Sequence, residues 1–545
     1  MSNYGAKILN NSISSLRAHQ ALLTVTGNNI ANVNTPGFTK RNLQLEIEPA
    51  TTTNGRLQVG SGVSLGNVTR QSDEFINRLL REAVGEKGRA DVKDEFLSRL
   101  QNNFDLTGKQ MSIGGALTDF FSAMKDLAQN PASTQFRTNA VERTRDLVEV
   151  INVSYNSAAN LQEEADSRLV NELNSANTIL KQIAEVNGRI VAQEFSGNLA
   201  ADERDKRDIL LKQLSEKISF QATEVNDGSI NIYLTNGFTL VHGVQHNSLE
   251  TTKSPSFTAG SPLKSLSGSA LSFIVHNYGE EGSPAHVDLS SIIAAGSGTL
   301  AGLLSVRGVP NISDTSPFQA GGAIVDTAAR IDALARQLLT TFNQTYAGDD
   351  GDTTTVGFQP GSGDLNGNSP GAYGLFDFDF SGVKDADGNN IADDLTASGL
   401  TNFAGRLIAP VTNPRDLALS HDLLPNDPLT SFASGDGTIA ARLAALEQTS
   451  LTFNSGGGSY SFTGTSNEQY NELVTNLGGE VSSAKLTAKS AEDSLTVAEA
   501  RRDEVSGVSL DEEFANLIRF QKGYQASARL IKLTDDMLQQ IVTLL

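Results

Sequence analysis

Cysteine and tryptophan are absent from this 545-residue chain. Without cysteine there is no disulfide framework, no thiolate nucleophile and no Cys-ligated zinc. Long apolar runs are missing too. No stretch approaches the roughly 20 apolar residues of a membrane span, so no membrane insertion is expected. The N-terminus lacks the basic start and continuous apolar run of a cleaved signal peptide. Taken alone, that predicts a cytoplasmic protein. Positive charge is scarce: 42 Lys and Arg against 63 Asp and Glu leave a net charge of −21. The basic residues are scattered among carboxylates, which argues against a nucleic-acid partner, since phosphate binding needs a basic face. Acidity of this size favours solubility and suppresses non-specific sticking.

Few residues stand at spacings that carry chemistry. The six histidines show no His-Glu-x-x-His pattern. His242 and His246 are four apart, but they fall in a strand and a turn, which is poor placement for a metal pair. Gly62-Val63-Ser64-Leu65-Gly66 matches the G-x-S-x-G pattern of a nucleophile elbow. That motif needs a strand, a sharp turn and then a helix; here a strand-like piece follows, and a Gly-rich hairpin is the simpler reading. Asp385, Asp387, Asn389, Ile391 and Asp393 sit at alternate positions of a calcium-like loop. Gly388 stands at its fourth place rather than its sixth, however, and Thr396 replaces the closing Glu. Asp364, Asn366 and Asn368 make a similar partial match. Hydrated turns are the expectation. No catalytic residue, cofactor or metal site is assigned.

What the chain does have is helix periodicity at both ends. Ser509 and Glu512 form a capping box opening a terminal helix, with Asp511 and Glu513 adding favourable first-turn charge. Counted by sevens, Leu517, Tyr524, Ile531, Leu538 and Leu545 form one row, and Phe514, Gln521, Ala528, Asp535 and Val542 another. Leu530, Met537, Ile541 and Leu544 widen the apolar face beyond what one partner covers. At the other end Leu9, Ile13, Leu16, Gln20, Leu23, Gly27 and Ile30 repeat on the same heptad, in a helix ending before Asn34-Thr35-Pro36-Gly37. The termini are therefore predicted to meet in one coiled coil. Ordering backbone costs roughly 1–2 kcal/mol per residue against about 1.5–3 kcal/mol for each buried Leu or Ile. A two-helix pair buries one side of each arm, so the arms are expected to order fully only where neighbouring copies cover the rest.

Between the arms, Asn42–Pro49 and Leu57–Arg70 alternate like short strands. Helical periodicity then runs from Asp73 to about Leu106, from Ala116 to Gln129, and from Thr134 to Glu194 with no Pro. A charged helix, Asp202 to Ser215, precedes strands that turn at Asp227-Gly228 and Asn236-Gly237. Residues 250–322 are Ser-, Gly- and Thr-rich; Ala323 to Asp349 is helical; 350–435 is rich in Gly, Asp, Asn and Pro; helices return at Thr438 and Asn467. The fold class read from this order is multidomain α+β, with terminal α-helical coiled-coil arms, a long helical bundle and β-rich inserted outer domains. The expected divisions are residues 1–40 with 505–545 as arms, and 41–245 with 298–349 and 436–504 as bundle core with short hairpins. Residues 246–297 form a β-rich insertion and 350–435 a β-type outer domain.

The segment Leu22 to Arg41, LLTVTGNNIANVNTPGFTKR, resembles the N-terminal signature of flagellar rod, hook and hook-associated proteins. Val505 to Leu538, with SGVSLDEE inside it, resembles their C-terminal signature. Asn28, Asn29, Ile30, Ala31, Asn32, Asn34, Thr35, Gly37, Phe38, Gly507, Asp511 and Glu512 carry the match. Asn130 to Arg137 and Ile183 to Val191 resemble the helical domain of the hook-associated members, which rod and hook proteins lack. The sequence departs at Phe38-Thr39-Lys40, where aromatic-Ser-Arg is commoner, and its centre is unmatched.

The resemblance implies a non-enzymatic subunit, exported without a cleaved signal to the extracellular flagellum, that polymerises into the junction of hook and filament. Implied partners are copies of itself, the hook protein, a second junction protein adjoining the filament, and an export chaperone at the C-terminal region. The assembly seam would comprise Leu9, Ile13, Leu16, Leu23, Ile30, Phe514, Leu517, Tyr524, Ile531 and Leu538. The alternatives are another rod- or hook-type axial subunit, or a calcium-stabilised surface adhesin carried on the central region.

Overall fold

Helices form where apolar residues recur at three- and four-residue steps without Pro, and they stop at the expected breakers. The computed structural model describes all residues except 1, 49–50, 54–56, 60–61, 104–111, 196, 198, 254–270, 278–285, 311–319, 347–374, 379–403, 411–436, 456–459 and 545. In chain order its helices are α1 (Ser2–Ala31), α2 (Glu74–Asn103), α3 (Ile113–Gln129), α4 (Thr134–Glu194), α5 (Ala201–Lys217), α6 (Ser290–Ala294), α7 (Thr299–Arg307), α8 (Ala323–Gln337), α9 (Asn343–Tyr346), α10 (Thr438–Ala445), α11 (Ser466–Ser506) and α12 (Leu510–Leu544). The Ser112 side chain caps α3 by accepting from the Gly115 N–H, and Asn130 ends it just before Pro131. The described strands form small antiparallel sheets of two to four strands. The architecture is thus multidomain and mainly helical.

Two compact units form. The first comprises Met1–Gly88, Ser175–Ser248 and Ser490–Leu545; the second comprises Arg89–Asn174 and Leu249–Lys489.

In the first unit, strands Arg41–Ile47 and Val63–Arg70 pair as an antiparallel ribbon with Leu45 opposite Leu65. Ser64 lies inside this ribbon opposite Glu46, and the strand runs on past it. The strand–turn–helix geometry of a nucleophile elbow is therefore not present there. The four-stranded sheet of residues 221–246 turns at Gly228 and Gly237, whose φ values of +83° and +85° favour glycine. His242 and His246 occupy its last hairpin, where His246 pairs with Val241 and His242 with Gln245. Asn187 of α4, fully buried, ties the sheet down. It donates to the Ile230 and Gly243 carbonyls at 2.9 and 2.7 Å, and accepts from the Ile230 N–H at 3.2 Å and from Arg207 at 3.3 Å. Val186, Ile190 and Ala200 pack as an apolar cluster with Leu210, and Leu80 and Val84 pack with Ala498.

The second unit is centred on Phe120, Phe121, Phe342 and Phe376, with ring centroids 5.4 to 6.1 Å apart. A π-helical turn, Leu338–Phe342, follows α8, and the Asn343 amide then grips Phe376 through both its carbonyl (2.6 Å) and its N–H (2.9 Å). Strands Glu250–Thr252, Phe273–Asn277 and His286–Asp288 form a three-stranded sheet, anchored by a charged pair. The fully buried Arg307 contacts Asp166, which also accepts from the Ser272 N–H and hydroxyl and from Lys253 at 2.8–2.9 Å. The hairpin Leu451–Asn454/Ser461–Gly464 went unread in the sequence, where helices were expected from Thr438 to Gln448 and again from about Asn467. Four-residue strands lie at the lower limit of a readable alternation. The calcium-like positions 385–393 and 364–368 lie outside the described residues.

Candidate functional site: where the chain ends converge

The site lies in the first unit and begins with the turn after α1. The Thr35 N–H donates to the Asn32 carbonyl at 2.9 Å, and the Phe38 N–H to the Thr35 carbonyl at 3.1 Å. Gly37 holds φ at +80°, and a Cβ there would stand 2.5 Å from Cγ1 of Ile209 on α5. Left-handed backbone and close approach together demand glycine at this point. The chain then runs between three elements. Arg502 of α11 donates to the Phe38 carbonyl at 3.2 Å, and the Lys40 N–H donates to the Ser506 carbonyl at 2.9 Å. The Arg41 guanidinium lies 4.9 Å over the Phe38 ring and contacts Asp202 and Asp205 of α5. Arg70 on the neighbouring strand contacts Asp205 and Asp208 and reaches the Thr39 hydroxyl at 3.4 Å.

Asn29 is the hinge pin of this arrangement. It is 1% exposed. Its amide accepts from the Arg41 N–H at 3.1 Å, donates to the Arg41 carbonyl at 3.0 Å, and donates to Glu513 Oε2 of α12 at 3.1 Å. Glu513, 2% exposed, also faces Lys40 Nζ at 3.4 Å, while Glu512 accepts from the same ammonium at 2.7 Å. Burial pulls the Lys40 pKa down, but the hydrogen bond and charge of Glu512, joined by Glu513, outweigh it and leave the pKa raised. The hydrogen bond and charge of Lys40 hold the Glu512 carboxyl below its usual range. The Thr39-Lys40 departure therefore fits its surroundings. A buried hydroxyl meets Arg70, and a single ammonium serves two carboxylates.

The capping box at Ser509 is only half made. The Glu512 N–H reaches the Ser509 hydroxyl at 3.5 Å, but the Glu512 carboxylate is drawn to Lys40 instead of returning to the cap. Gly507 sits where a Cβ would come within 2.3 Å of the Asp503 carbonyl, so the break between α11 and α12 also needs glycine.

Beyond the clamp, α1 and α12 pair antiparallel. His19 lies against Gly523, where a Cβ would approach its ring within 2.4 Å, and stands 6.5 Å from the Phe520 ring. The Ser15 and Ser527 hydroxyls are 2.9 Å apart. Buried positions along the pair are small or polar: Ser12, Ala18, Thr26 and Asn29 on α1, and Glu513, Ser527 and Thr534 on α12. The predicted seam rows lie beside this line. Leu9, Ile13, Leu16, Leu23, Ile30, Leu517 and Ile531 are half-buried; Phe514 and Tyr524 are exposed; the Leu538 side chain lies outside the described residues. Ile8, Ile518, Leu530, Leu533 and Met537 are exposed as well.

Of the signature residues, Asn29, Asn32, Thr35, Gly37, Phe38, Gly507 and Glu512 take part in the contacts described, and Asn28 only through its carbonyl, which accepts from Asn32 at 2.9 Å. Ala31, Asn34 and Asp511 are exposed, and Ile30 is half-buried. Sequence reasoning missed Lys40, Arg41, Arg70, Asp205, Arg502 and Glu513 as members of the site. Their one legible signal was basic residues directly after the turn and acidic residues opening the last helix.

Three family models match the chain. They are the flagellar hook-associated protein FlgK helical domain over residues 97–357, the flagellar basal body rod FlgEFG protein C-terminal region over 500–544, and the flagella basal body rod protein over 9–39. The class is therefore a flagellar structural protein whose rod-type ends enclose a helical domain. Flagellar hook-associated protein 1 of Bacillus subtilis is 24% identical, over 97% of this chain and 96% of the relative. The Salmonella typhimurium protein of that name is also 24% identical, over 97% and 98%, and the Escherichia coli one is 23% identical, over 99% and 100%. The solved structure of the flagellar hook junction protein FlgK from Burkholderia pseudomallei superposes with a TM-score of 0.57 at 14% identity, covering 79% of this chain and all of that one. That likeness bears on the fold. The central helical domain and the full-length similarity agree: the chain is similar to the hook-associated proteins of the FlgK type.

Proposed function

We propose that this chain is a structural subunit of the junction between flagellar hook and filament, exported without a cleaved signal and assembled by packing its terminal helices between copies. The observation that carries the reading is the mismatch along α1 and α12. Their mutual contact is built of small and polar residues, while their large apolar residues remain half-buried or exposed. A helix that spends its hydrogen-bonding residues on one neighbour and leaves Phe514, Ile518, Leu533 and Met537 in water has surface to give to another. The seam assigned from the heptad rows, Leu9, Ile13, Leu16, Leu23 and Ile30 with Phe514, Leu517, Tyr524, Ile531 and Leu538, is the proposed coiled-coil contact between copies. The hook protein, a second junction protein and an export chaperone that shields the C-terminal helix are its proposed partners.

Complementation tests the proposal. The chain is expressed in a flagellated bacterium deleted for its own hook-associated protein 1, and swimming is expected to return. Ile518→Asp with Leu533→Asp is expected to leave secondary structure and melting intact, yet to release subunits into the medium and leave hooks without filaments. Normal swimming of that variant would refute assembly through this face.

A further inference from the structure

The α1–α12 contact matches residue for residue along its length. From Asn29 back to His19 and Ser15 on α1, the partners advance by equal steps from Glu513 to Gly523 and Ser527 on α12. Yet the spacing of the contact line is the same in this alignment and in its heptad-shifted neighbours. The covered positions of α12, Glu513, Phe520, Ser527 and Thr534, recur every seven residues. So do Ser12, His19 and Thr26 on α1, and Ser15, Leu22 and Asn29. A slide of one heptad, about 10 Å along the axis, brings the same rows face to face again: Ser15 then meets Thr534 in one direction and Phe520 in the other. The flanking Leu and Ile rows repeat with the same period. Apolar rows of uniform spacing specify pairing but not register; buried polar contacts and steric notches specify register.

Between the two helices, two contacts oppose a slide most directly. The buried Glu513 carboxylate has Asn29 and Lys40 as partners, and a slide carries it away from both. His19 fits only over a residue without a side chain; a slide of seven puts Asn516 or Leu530 where Gly523 stands. We propose that the Asn29–Glu513–Lys40 clamp and the His19–Gly523 notch are the register determinants of the terminal helix pair. They select one alignment among heptad-spaced alternatives that the leucine rows leave degenerate. Glu513 and His19 are positioning residues in this sense. Register decides which apolar side chains of α1 and α12 lie side by side on the uncovered surface; that consequence rests on the assembly proposed above, whereas the register itself does not.

The absence of cysteine makes the test clean. Three full-length double variants are prepared. Ser15→Cys with Ser527→Cys reports the observed alignment, since the two hydroxyls lie 2.9 Å apart. Ser15→Cys with Phe520→Cys, or with Thr534→Cys, reports a slide of one heptad either way. Under mild oxidation of the monomer, only the 15–527 disulfide is expected. Glu513→Gln keeps a carbonyl for Asn29 and is expected to preserve that pattern. Glu513→Leu combined with His19→Ala is expected to raise a slid disulfide to within about twofold of the 15–527 yield, with helicity unchanged. Exclusive 15–527 closure in that variant would overturn the proposal, because the apolar rows would then suffice. Loss of all three disulfides together with helicity would also overturn it, because the contacts would then hold the pair together without choosing its alignment.

Discussion

Single residues here do their work through burial. Asp166 illustrates the balance: burial raises its pKa, but Arg307, the Ser272 N–H, Lys253 and the Ser272 hydroxyl together hold it below the usual carboxylate value. A folded value below the unfolded ~3.9 means stability that is fully present above that pH and lost as pH falls through the folded value. Asp166→Asn should therefore be less stable at neutral pH, with a melting temperature that declines less steeply than the parent's below about pH 4. Equal slopes in a pH series of thermal melts would count against this. Asp166→Ala, which strands the buried Arg307, should cost about 3–5 kcal/mol in urea unfolding. Gly37 acts through its backbone. Gly37→Ala should lose about 1–2 kcal/mol from left-handed φ alone, plus whatever shift of Ile209 relieves the 2.5 Å approach. A chemical melt matching the parent would show that the turn can rearrange at no cost.

At the scale of elements, the terminal helices are joined by a buried polar clamp near Asn29. The end near Asn29 is tied by Glu513, Lys40, Ser506 and Arg502, and the Ser15–Ser527 hydroxyl contact joins the helices farther along. Buried, multiply bonded segments open last, and chain termini fray first. Hydrogen exchange of the monomer should be slowest around residues 22–30 and 511–520 and quicken toward residue 2 and residue 544. A reversed gradient would mean that the apolar rows, rather than the clamp, hold the pair. Within one chain the clamp at Asn29 is buried, while Phe514, Ile518, Leu530, Leu533 and Met537 are exposed. The heptads were legible because helix periodicity survives in any long amphipathic run. The face used was not, because Ser12, Thr26, Ser527 and Thr534 carry no apolar signal and became visible only once the helices were paired.

At the scale of the whole molecule, a net charge of −21 opposes non-specific sticking, and the absence of cysteine removes thiol chemistry. Replacing Asp385 and Asp387 with Ala should leave motility intact, and calorimetry with and without a chelator should give the same melting temperature. A shift on chelation would require a bound cation and revive the adhesin alternative. Several long helices and the Asn-Gly and Asp-Gly hairpins were legible in sequence, each written locally by periodicity or by a turn residue. The sequence already joined distant segments into discontinuous divisions, whereas the bounds of the two compact units, at Gly88, Asn174, Ser248 and Lys489, carry no local mark.

By itself, the sequence determined the helical ends, the turn at Pro36-Gly37 and the family to which those signatures belong, since each depends on neighbours within a few residues. Tertiary structure alone decided that Asn29, Lys40, Glu513 and Arg502 share one clamp and that His19 has Gly523 for its floor. The reason is physical: a buried polar group is stable only beside its partner, and those partners lie more than four hundred residues apart along the chain.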